Sequence, residues 1–264
     1  MNKGRLVASQ QKANDSVRLD VSVAQLLGIS RSEAQGIIQN GHVELSGKIT
    51  TKPGIKILPK QINQLLITGG RRSYVSRGGY KLEAALSAFS LDVTEQVCLD
   101  VGASTGGFTD CLLKHGAAKV YAIDNGCGQL ASILRSDSRV VSYEDTDIRA
   151  VDADWFYERI SMVTIDVSFI SLTKVLKPVI RILSSPVTVV CLIKPQFEAG
   201  KEHINKRGIV SDLSICHRIA NEVCVFAGEA GFEVHGLLPF NDQWIKNQKP
   251  LHDINQEFLA YFTI

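Results

Sequence analysis

Residues 97–124 of the chain read VCLDVGASTGGFTDCLLKHGAAKVYAID. Its first five residues form an apolar strand pattern, the segment from Gly102 to Phe108 turns that strand into a helix, and Lys119 to Asp124 form a second strand pattern. Glycines in such a turn let the backbone pass close to a ligand and leave amides exposed at the start of the helix. The stretch therefore predicts a strand–turn–helix–strand unit whose turn binds a ligand.

Strand-like and helix-like runs continue to alternate from this stretch to the end of the chain. Repeated βα units predict an α/β fold with a mainly parallel sheet covered on both faces. The last two strand patterns follow each other without a clear helix, so one of them is expected to run antiparallel. We predict strands at 97–101, 119–124, 139–143, 162–166, 187–193, 232–238 and 257–263, and helices at 107–115, 171–183 and 212–228.

Acidic residues lie at three successive strand ends beside the glycine turn. Asp124 is placed to hold ribose hydroxyls, which would also fit a nicotinamide enzyme. The spacing G-x-x-x-G-G, however, is not the G-x-G-x-x-G pattern that brings the backbone against a pyrophosphate, and S-adenosylmethionine carries no phosphate. Asp147 is expected to contact the adenine amine, although N-capping would also explain an aspartate there. The expected S-adenosyl-L-methionine site comprises Gly102, Ser104, Gly106, Phe108, Asp124, Asp147 and Asp166.

The segment from Val17 to about Leu66 has the pattern of a small separate unit. Apolar residues from Val17 to Ile29 form one side of a first helix, and Ser30 with Glu33 has the capping-box spacing of a second. Residues 1–80 contain 12 Lys/Arg and 4 Asp/Glu, a balance of +8, whereas residues 81–264 contain 17 and 23, a balance of −6. A basic head on an acidic body indicates either a polyanionic partner or an uneven, solvated surface.

The order of motifs in this basic segment, RLDVSVAQLLGISRSEAQGIIQNGHVELSGKITTKPG from Arg18 to Gly54, resembles the S4-type (alpha-L) RNA-binding module. In that family the helical pair and the following turn lie against folded RNA. The resemblance implies RNA contacts for Arg18, Arg31, Lys48 and Lys52, to which we add Arg77.

Four motifs stand out in the rest of the chain: YVSRGGYKLEAAL (Tyr74–Leu86), LDVGASTGGFTDCLL (Leu99–Leu113), TIDVSFISL (Thr164–Leu172) and IKPQFEAGKEHINKRGIVSD (Ile193–Asp212). With these motifs the chain resembles the TlyA family of bacterial rRNA ribose methyltransferases, which are related to the FtsJ-type enzymes. The resemblance implies a Rossmann-like seven-stranded methyltransferase sheet behind a small α+β RNA-binding domain. The implied division is 1–66 for the RNA-binding domain, 67–77 for a basic glycine-rich linker and 78–264 for the methyltransferase domain.

The TlyA family uses a Lys-Asp-Lys-Glu tetrad to methylate a ribose 2′-hydroxyl. Matching the motifs gives Lys81, Asp166 and Lys194, with Glu257 as the final acid and Glu198 as the alternative for it. A ribose hydroxyl must lose its proton as it attacks the methyl group, so a general base is required. The resemblance favours Lys194 as that base, with Lys81 and Asp166 organising it.

Composition narrows the class of protein. No apolar run reaches the roughly 20 residues that span a bilayer, and the amino terminus lacks the apolar core of a secretory signal, so we expect a cytoplasmic protein. Six scattered cysteines offer neither a disulfide framework nor metal-ligand spacing. We expect reduced thiols, no metal and no obligate protein partner, and we expect ribosomal RNA or ribosomal subunits as the partner.

Two other functions stay open at this point. The approach to Glu257, from Lys249 to Gln256, differs from the Gly-Asn pair and proline-rich segment of relatives. Because of that difference, a second hypothesis stays open: an RNA-binding ribosome-assembly factor that does not catalyse methyl transfer. A haemolysin is the third hypothesis, because family members carry that label, although the chain offers no basic amphipathic helix for membrane binding.

Overall fold

The computed structural model of the chain describes residues 16–27, 29–62, 64–67, 74–240 and 254–264. The chain divides into two compact units, Met1–Ser73 and Tyr74–Ile264. Most of the expected linker, residues 68–73, and most of the segment before Glu257 lie outside the described residues.

The described residues of the smaller unit form three helices and two small sheets. Strands β2, β3 and β5 form an antiparallel sheet in the order β3-β2-β5, and β1 pairs with β4. Its elements are β1 (Val17–Arg18), α1 (Leu19–Leu27), α2 (Arg31–Gln39), β2 (Val43–Leu45), β3 (Lys48–Ile49), β4 (Lys56–Ile57), α3 (Pro59–Ile62) and β5 (Leu65–Ile67). Its core contains Leu19, Val23, Ala34, Ile37, Ile38, Val43 and Ile57.

The predicted capping box of the second helix is present in the smaller unit, whereas the predicted start of the first helix is shifted. The Ser30 side chain accepts from the Glu33 backbone, and the Glu33 side chain accepts from the Ser30 backbone, which completes the capping box of α2. The prediction for Val17 was wrong, because it pairs with Ile57 in a strand rather than joining the first helix. The following Leu19 begins that helix and is fully buried.

The larger unit contains one seven-stranded sheet in the order β11-β12-β10-β9-β6-β7-β8. Strands β6 to β10 run parallel, and β12 runs antiparallel to both β10 and β11, which confirms the predicted mixed sheet. Its elements are α4 (Gly78–Ala88), β6 (Val97–Val101), α5 (Gly107–Lys114), β7 (Lys119–Ile123), α6 (Ser132–Arg135), β8 (Val140–Tyr143), β9 (Met162–Ile165), α7 (Thr173–Arg181), β10 (Thr188–Ile193), α8 (Pro195–Glu198), α9 (Leu213–Glu229), β11 (Glu233–Phe240) and β12 (Glu257–Thr263).

Helices cover both faces of this sheet. Successive strand residues point to opposite faces, so Cys98 packs with Leu82 of α4 and Leu112 of α5. Its neighbour Leu99 packs in the other core, which holds Leu176 of α7 and further residues of α9. The predicted α/β class with a sheet of seven strands is confirmed.

Two further observations concern the whole described chain. Among the residues that the structure describes, none of the helices has both the length and the apolar character that a membrane crossing needs. All six cysteines are free thiols, and only Cys127 is exposed. Burial raises the pKa of the Cys98 thiol to about 12, which favours a structural role for it.

Candidate active site

The strand ladders bring three of the expected catalytic residues to one edge of the sheet. Parallel strands β9 and β10 end at this edge, and Asp166 and Lys194 are the residues that follow them. Strand β12 runs the other way and therefore begins at the same edge, with Phe258 opposite Ile193. Glu257, the first residue of β12, consequently lies beside the end of β10.

The four expected catalytic residues form two ion pairs. Lys194 Nζ lies 2.5 Å from Asp166 Oδ1, and Lys81 Nζ lies 2.5 Å from Glu257 Oε2. Lys194 also donates to the Ser168 hydroxyl at 2.9 Å. All four side chains are at most 18% exposed, and charges so far removed from water persist only when they are paired. The site therefore holds two lysines, each fixed by a carboxylate.

Close backbone packing sets the position of Lys81. A Cβ atom at Gly107, the first residue of α5, would lie 2.9 Å from the backbone nitrogen of Gly79 and 3.1 Å from the Cα of Gly78, both in α4. Only glycine fits at such distances, so α4 and the start of α5 can approach each other closely. The GGY and GGF motifs thus place the helix of Lys81 against the helix that begins at the glycine turn.

The glycine turn lies directly on the backbone of Asp166. Gly102 has a φ of +86°, and a Cβ there would lie 2.5 Å from the Asp166 carbonyl oxygen. Gly106, with a φ of +97°, caps α5 where a side chain would meet Leu134. The predicted ligand-binding turn and Asp166, an expected catalytic residue, are therefore adjacent.

Asp124 links this turn to the loop after β7. Its carboxylate accepts hydrogen bonds from the backbone N–H of Ser104 at 2.8 Å and of Gly126 at 2.6 Å. The Ser104 hydroxyl lies 3.0 Å from the Gln129 amide oxygen. Asp124 therefore stabilises the two loops by accepting backbone hydrogen bonds, as aspartates at turns commonly do. It lies at the strand end where ribose binding is expected.

Two other expected cofactor residues are engaged by the protein itself. Asp147 caps a short 3₁₀ helix by accepting from the Arg149 backbone at 2.9 Å, and it pairs with the Arg149 guanidinium. This hydrogen bonding lowers the pKa of the Asp147 carboxyl. The Phe108 side chain is buried in the core, next to the start of α4. Cofactor contact by Phe108 and adenine contact by Asp147 stay predictions.

Glu198, the alternative fourth acid, is engaged elsewhere. Its carboxylate accepts from the Leu172 backbone N–H at 2.8 Å, near the start of α7. Burial raises its pKa. The acid that contacts Lys81 is Glu257.

Sequence reasoning missed two residues of this site. Asp100 is fully buried, and its carboxylate accepts from Thr109 at 2.6 Å and from Thr164 at 3.0 Å. Burial raises its pKa to about 6. The signal that could have identified Asp100 is its charge inside an otherwise apolar strand.

The second missed residue is Phe169, within the TIDVSFISL motif. Its side chain is 91% exposed, and the centre of its ring lies 5.1 Å from the centre of the Phe197 ring.

The expected RNA-binding residues differ in their surroundings. Arg18 and Arg31 both contact Asp20, which is fully buried. Lys48 and Lys52 of the smaller unit are exposed, and so is Arg77, which precedes α4 in the larger unit. RNA contact by these residues stays a prediction.

Family models, related sequences and a solved structure all relate the chain to known proteins. Residues 74–239 match the family model described as FtsJ-like methyltransferase, and residues 17–62 match the S4 domain. The chain is 43% identical to "Hemolysin A" of Brachyspira hyodysenteriae, over 89% of this chain and 94% of that protein. It is 40% identical to the 16S/23S rRNA (cytidine-2′-O)-methyltransferase TlyA of Mycobacterium tuberculosis, over 80% of this chain and 78% of that protein. A solved structure from Streptococcus thermophilus, 40% identical, covers 95% of this chain and 89% of that chain with a TM-score of 0.67.

Proposed function

The chain belongs to the FtsJ-like methyltransferase family and carries an S4 domain, and from that premise we propose that it methylates a ribose 2′-hydroxyl in ribosomal RNA. Family membership makes it an S-adenosylmethionine-dependent methyltransferase. The observation that carries the choice of a ribose hydroxyl is the pair of buried lysines, each held by a carboxylate, beside the glycine turn. Its relative in Mycobacterium tuberculosis is named for cytidine in 16S and 23S rRNA, and we propose the same type of target.

The residues around the glycine turn fit S-adenosylmethionine. Gly102 and Gly106 let the turn pack against Asp166 and Leu134 with a left-handed backbone, and the acid at Asp124 suits the hydroxyls of a ribose. When bound, the cofactor supplies a methyl group that is already activated. The protein therefore has to bind, orient and deprotonate the hydroxyl that attacks this group.

We assign the general base to Lys194. Asp166 and Ser168 fix its Nζ, so the amine has one defined position at the sheet edge. In the proposed step Lys194 acts in its unprotonated form and accepts the proton of the ribose hydroxyl, while the cofactor would supply the methyl group to the hydroxyl oxygen and would leave as the neutral thioether. Lys81, held by Glu257, orients the same hydroxyl.

The S4 domain and the rRNA-modifying relatives support RNA as the substrate. We propose that the substrate is presented on ribosomal subunits in the cytoplasm, where the smaller, basic unit would supply electrostatic attraction to the phosphate backbone.

The decisive experiment measures transfer of a labelled methyl group to purified ribosomal subunits, followed by mapping of 2′-O-methylated cytidines. Lys194→Ala is expected to lower transfer by at least about 100-fold while cofactor affinity, measured by calorimetry, stays nearly unchanged. Lys174→Ala, at an exposed lysine of α7, is the matched control. Full methyl transfer by the Lys194 variant would contradict the assignment of Lys194 as the general base. Absence of transfer by the wild-type protein would contradict the proposed function.

The second candidate, a haemolysin, is favoured by one observation, the name of the Brachyspira relative. Incubating the purified chain with red blood cells tests it directly. Rapid lysis that persists in Lys194→Ala would establish an activity independent of methyl transfer.

A further inference from the structure

Glu198 connects the short helix after Lys194 with the loop 166–172, which joins β9 to α7. Its carboxylate accepts a hydrogen bond from the backbone N–H of Leu172 at 2.8 Å. Leu172 is buried and immediately precedes α7. Glu198 is the last residue of α8, and Lys194 is the N-cap of the same helix. One side chain therefore holds the last residue of the loop 166–172 to the element that follows the proposed base.

The loop 166–172 and the segment 194–198 contact each other at three points. The contacts follow the same order along both segments, so a shift at one of them is passed to its neighbours. They are the 2.9 Å hydrogen bond from Lys194 to the Ser168 hydroxyl, the rings of Phe197 and Phe169 with centres 5.1 Å apart, and the bond between Glu198 and Leu172.

The loop 166–172 is strained between its outer contacts. Phe169 has a φ of +65°, a conformation that bulky side chains seldom adopt. Such a conformation persists only when the surrounding structure fixes it. The Ser168 hydroxyl and the Leu172 N–H, on either side of Phe169, are both held by side chains of the segment 194–198. Loss of the Leu172 contact therefore lets the loop relax at Phe169, next to a residue that fixes the Lys194 amine.

The contact made by Glu198 needs an acceptor oxygen rather than a negative charge. Burial raises the pKa of the Glu198 carboxyl, and hydrogen bonds from Leu172 and Ser171 oppose that shift. A carboxyl group that takes up a proton still has an oxygen that can accept from a backbone N–H. The neutral amide of glutamine offers the same oxygen, so it should support the loop as well as glutamate does.

We propose that Glu198 is a positioning residue for methyl transfer and acts on Lys194 through the loop 166–172. The inference rests on the proposed function, in which Lys194 is the general base. Glu198 anchors the loop, the loop places Asp166 and Ser168, and these two residues fix the Nζ of Lys194. A misplacement of about 1 Å in a reacting group can lower a rate by about 100-fold, so a small movement of the loop is enough.

Three variants of Glu198 separate reach from charge. Glu198→Ala removes the acceptor, Glu198→Asp keeps the charge but is one methylene too short for Leu172, and Glu198→Gln keeps the reach without the charge. Transfer of a labelled methyl group to purified ribosomal subunits is measured at saturating cofactor. We expect kcat to fall by about 10- to 100-fold in the alanine and aspartate variants, with KM for the subunits changed by less than about twofold.

Glu198→Gln should retain at least about half of the wild-type kcat, because its amide oxygen accepts the same hydrogen bond. Glu202→Ala, at an exposed acid four residues further along the chain, is the matched control and should behave like wild type. Circular dichroism checks that each variant is folded. If Glu198→Ala does not fold, the comparison of the aspartate and glutamine variants still decides between reach and charge.

Ser168→Ala tests whether the effect travels through the loop 166–172. It removes the hydroxyl that contacts Lys194 and leaves the acceptor at Glu198 in place. Because both changes release the same amine, Ser168→Ala/Glu198→Ala should be little slower than the slower of the two single variants. Losses that multiply would show two independent effects and would overturn the proposed route.

Hydrogen exchange of residues 166–172, followed by mass spectrometry, gives a result that does not depend on activity. The loop should exchange faster in Glu198→Ala than in wild type or Glu198→Gln. Equal exchange in all three, or full kcat in Glu198→Ala, would overturn the positioning role and leave the proposed function intact. Equal losses of kcat in the alanine and glutamine variants would assign Glu198 a role through its charge and would also overturn the inference. Absence of transfer by the wild-type protein would contradict the proposed function and, with it, this role of Glu198.

Discussion

Asp100 is a carboxylate that never reaches solvent and yet lies next to the catalytic edge of the sheet. It occupies β6, an interior strand between β9 and β7, and the hydroxyls of Thr109 on α5 and Thr164 on β9 both donate to it. One side chain thus connects a helix and two strands, two residues before Gly102. Burial is the main cause of its pKa near 6, and the two threonines oppose that shift.

This pKa predicts a specific dependence of stability on pH. An aspartate in an unfolded chain ionises near pH 4, whereas Asp100 in the folded protein ionises at about 6. The folded state therefore binds more protons between these values, so the contribution of Asp100 is complete below about pH 4 and is lost as pH rises to about 6. The expected loss in the free energy of unfolding is on the order of 2–3 kcal/mol.

Urea unfolding of wild type and Asp100→Asn at several pH values checks this prediction. Both tryptophans of the chain belong to the larger unit, so their fluorescence reports its unfolding. The variant should gain stability relative to wild type as pH rises from 4 to 7. A constant difference between the two proteins would contradict the assigned pKa.

Phe169 offers a large apolar ring to solvent and follows Ser168, which contacts the proposed base Lys194. Its φ of +65° is strained for a side chain of this size. Its neighbour Phe197 lies 6.0 Å below the Nζ of Lys194, so the exposed ring stands close to the proposed base. An exposed aromatic ring in an RNA-modifying enzyme is suited to stack against a nucleobase.

We expect Phe169→Ala to lower kcat/KM for rRNA by about 5- to 100-fold, the value of one stacked base, and to leave cofactor affinity unchanged. Phe169→Trp should retain most activity because it keeps a stacking surface. Tyr157→Ala, at another exposed ring of the same unit, is the matched control. Equal losses at Phe169 and Tyr157 would argue against a specific stacking role.

Single residues also show where sequence reasoning reaches its limit. Motif matching selected Lys81, Asp166, Lys194 and Glu257, yet the pairing among them depends on β12 running antiparallel beside β10. Asp20 lies inside a quoted motif and was passed over, because its burial between two arginines depends on how α1 meets α2. Residue identity was readable from the sequence, whereas residue environment required the assembled fold.

Among the elements, the loop between α8 and α9 is tied to the strand that carries Glu257. Asn255 donates from its side-chain amide to the Gly208 carbonyl at 3.0 Å and accepts from the Val210 backbone at 3.2 Å. Asn205 accepts from the backbone of Arg207 and Ile209 within the loop. Asn255 therefore fixes the loop at a point two residues before the acid that holds Lys81.

Asn255→Ala removes both bonds at once and leaves two backbone groups without their present partner. We expect a loss of about 1–3 kcal/mol in the free energy of unfolding and about a tenfold fall in kcat, because Glu257 loses its anchored approach. Cofactor affinity should change by less than about twofold, since the glycine turn is untouched. Asn221→Ala, on the exposed side of α9, provides the control. Unchanged kcat in Asn255→Ala would show that the loop is not coupled to the tetrad.

Element boundaries were predictable in the larger unit because period and turn signals agree there. The predicted strand at 257–263 matches β12, Glu257–Thr263, and the helix at 212–228 is shifted by one residue from α9. The role of Asp147 was harder to predict, because an aspartate after a strand suits a helix cap and a ligand equally well. The structure gives it the cap, through Arg149.

At the scale of the whole molecule, the excess positive charge and the proposed catalytic residues belong to different parts of the chain. Residues 1–80 carry a balance of +8 and residues 81–264 a balance of −6, while the proposed catalytic tetrad pairs its own charges within the larger unit. Counterion release makes phosphate contacts strongly salt-dependent, whereas a buried, internally neutral site responds weakly to salt. Docking and turnover should therefore respond differently to ionic strength.

This division predicts the kinetics of Lys48→Glu/Lys52→Glu. Raising the salt concentration should weaken rRNA binding steeply in wild type, and the double variant should show a slope shallower by about 2, or about 1 for each lost phosphate contact. Its KM for ribosomal subunits should rise, while kcat at saturating subunits and the affinity for S-adenosylmethionine stay near wild type. Lys174→Glu reverses an exposed charge of the larger unit and should leave the slope unchanged. If the double variant instead lost kcat at unchanged KM, the basic unit would act on the chemical step, and the proposed separation of docking from catalysis would be wrong.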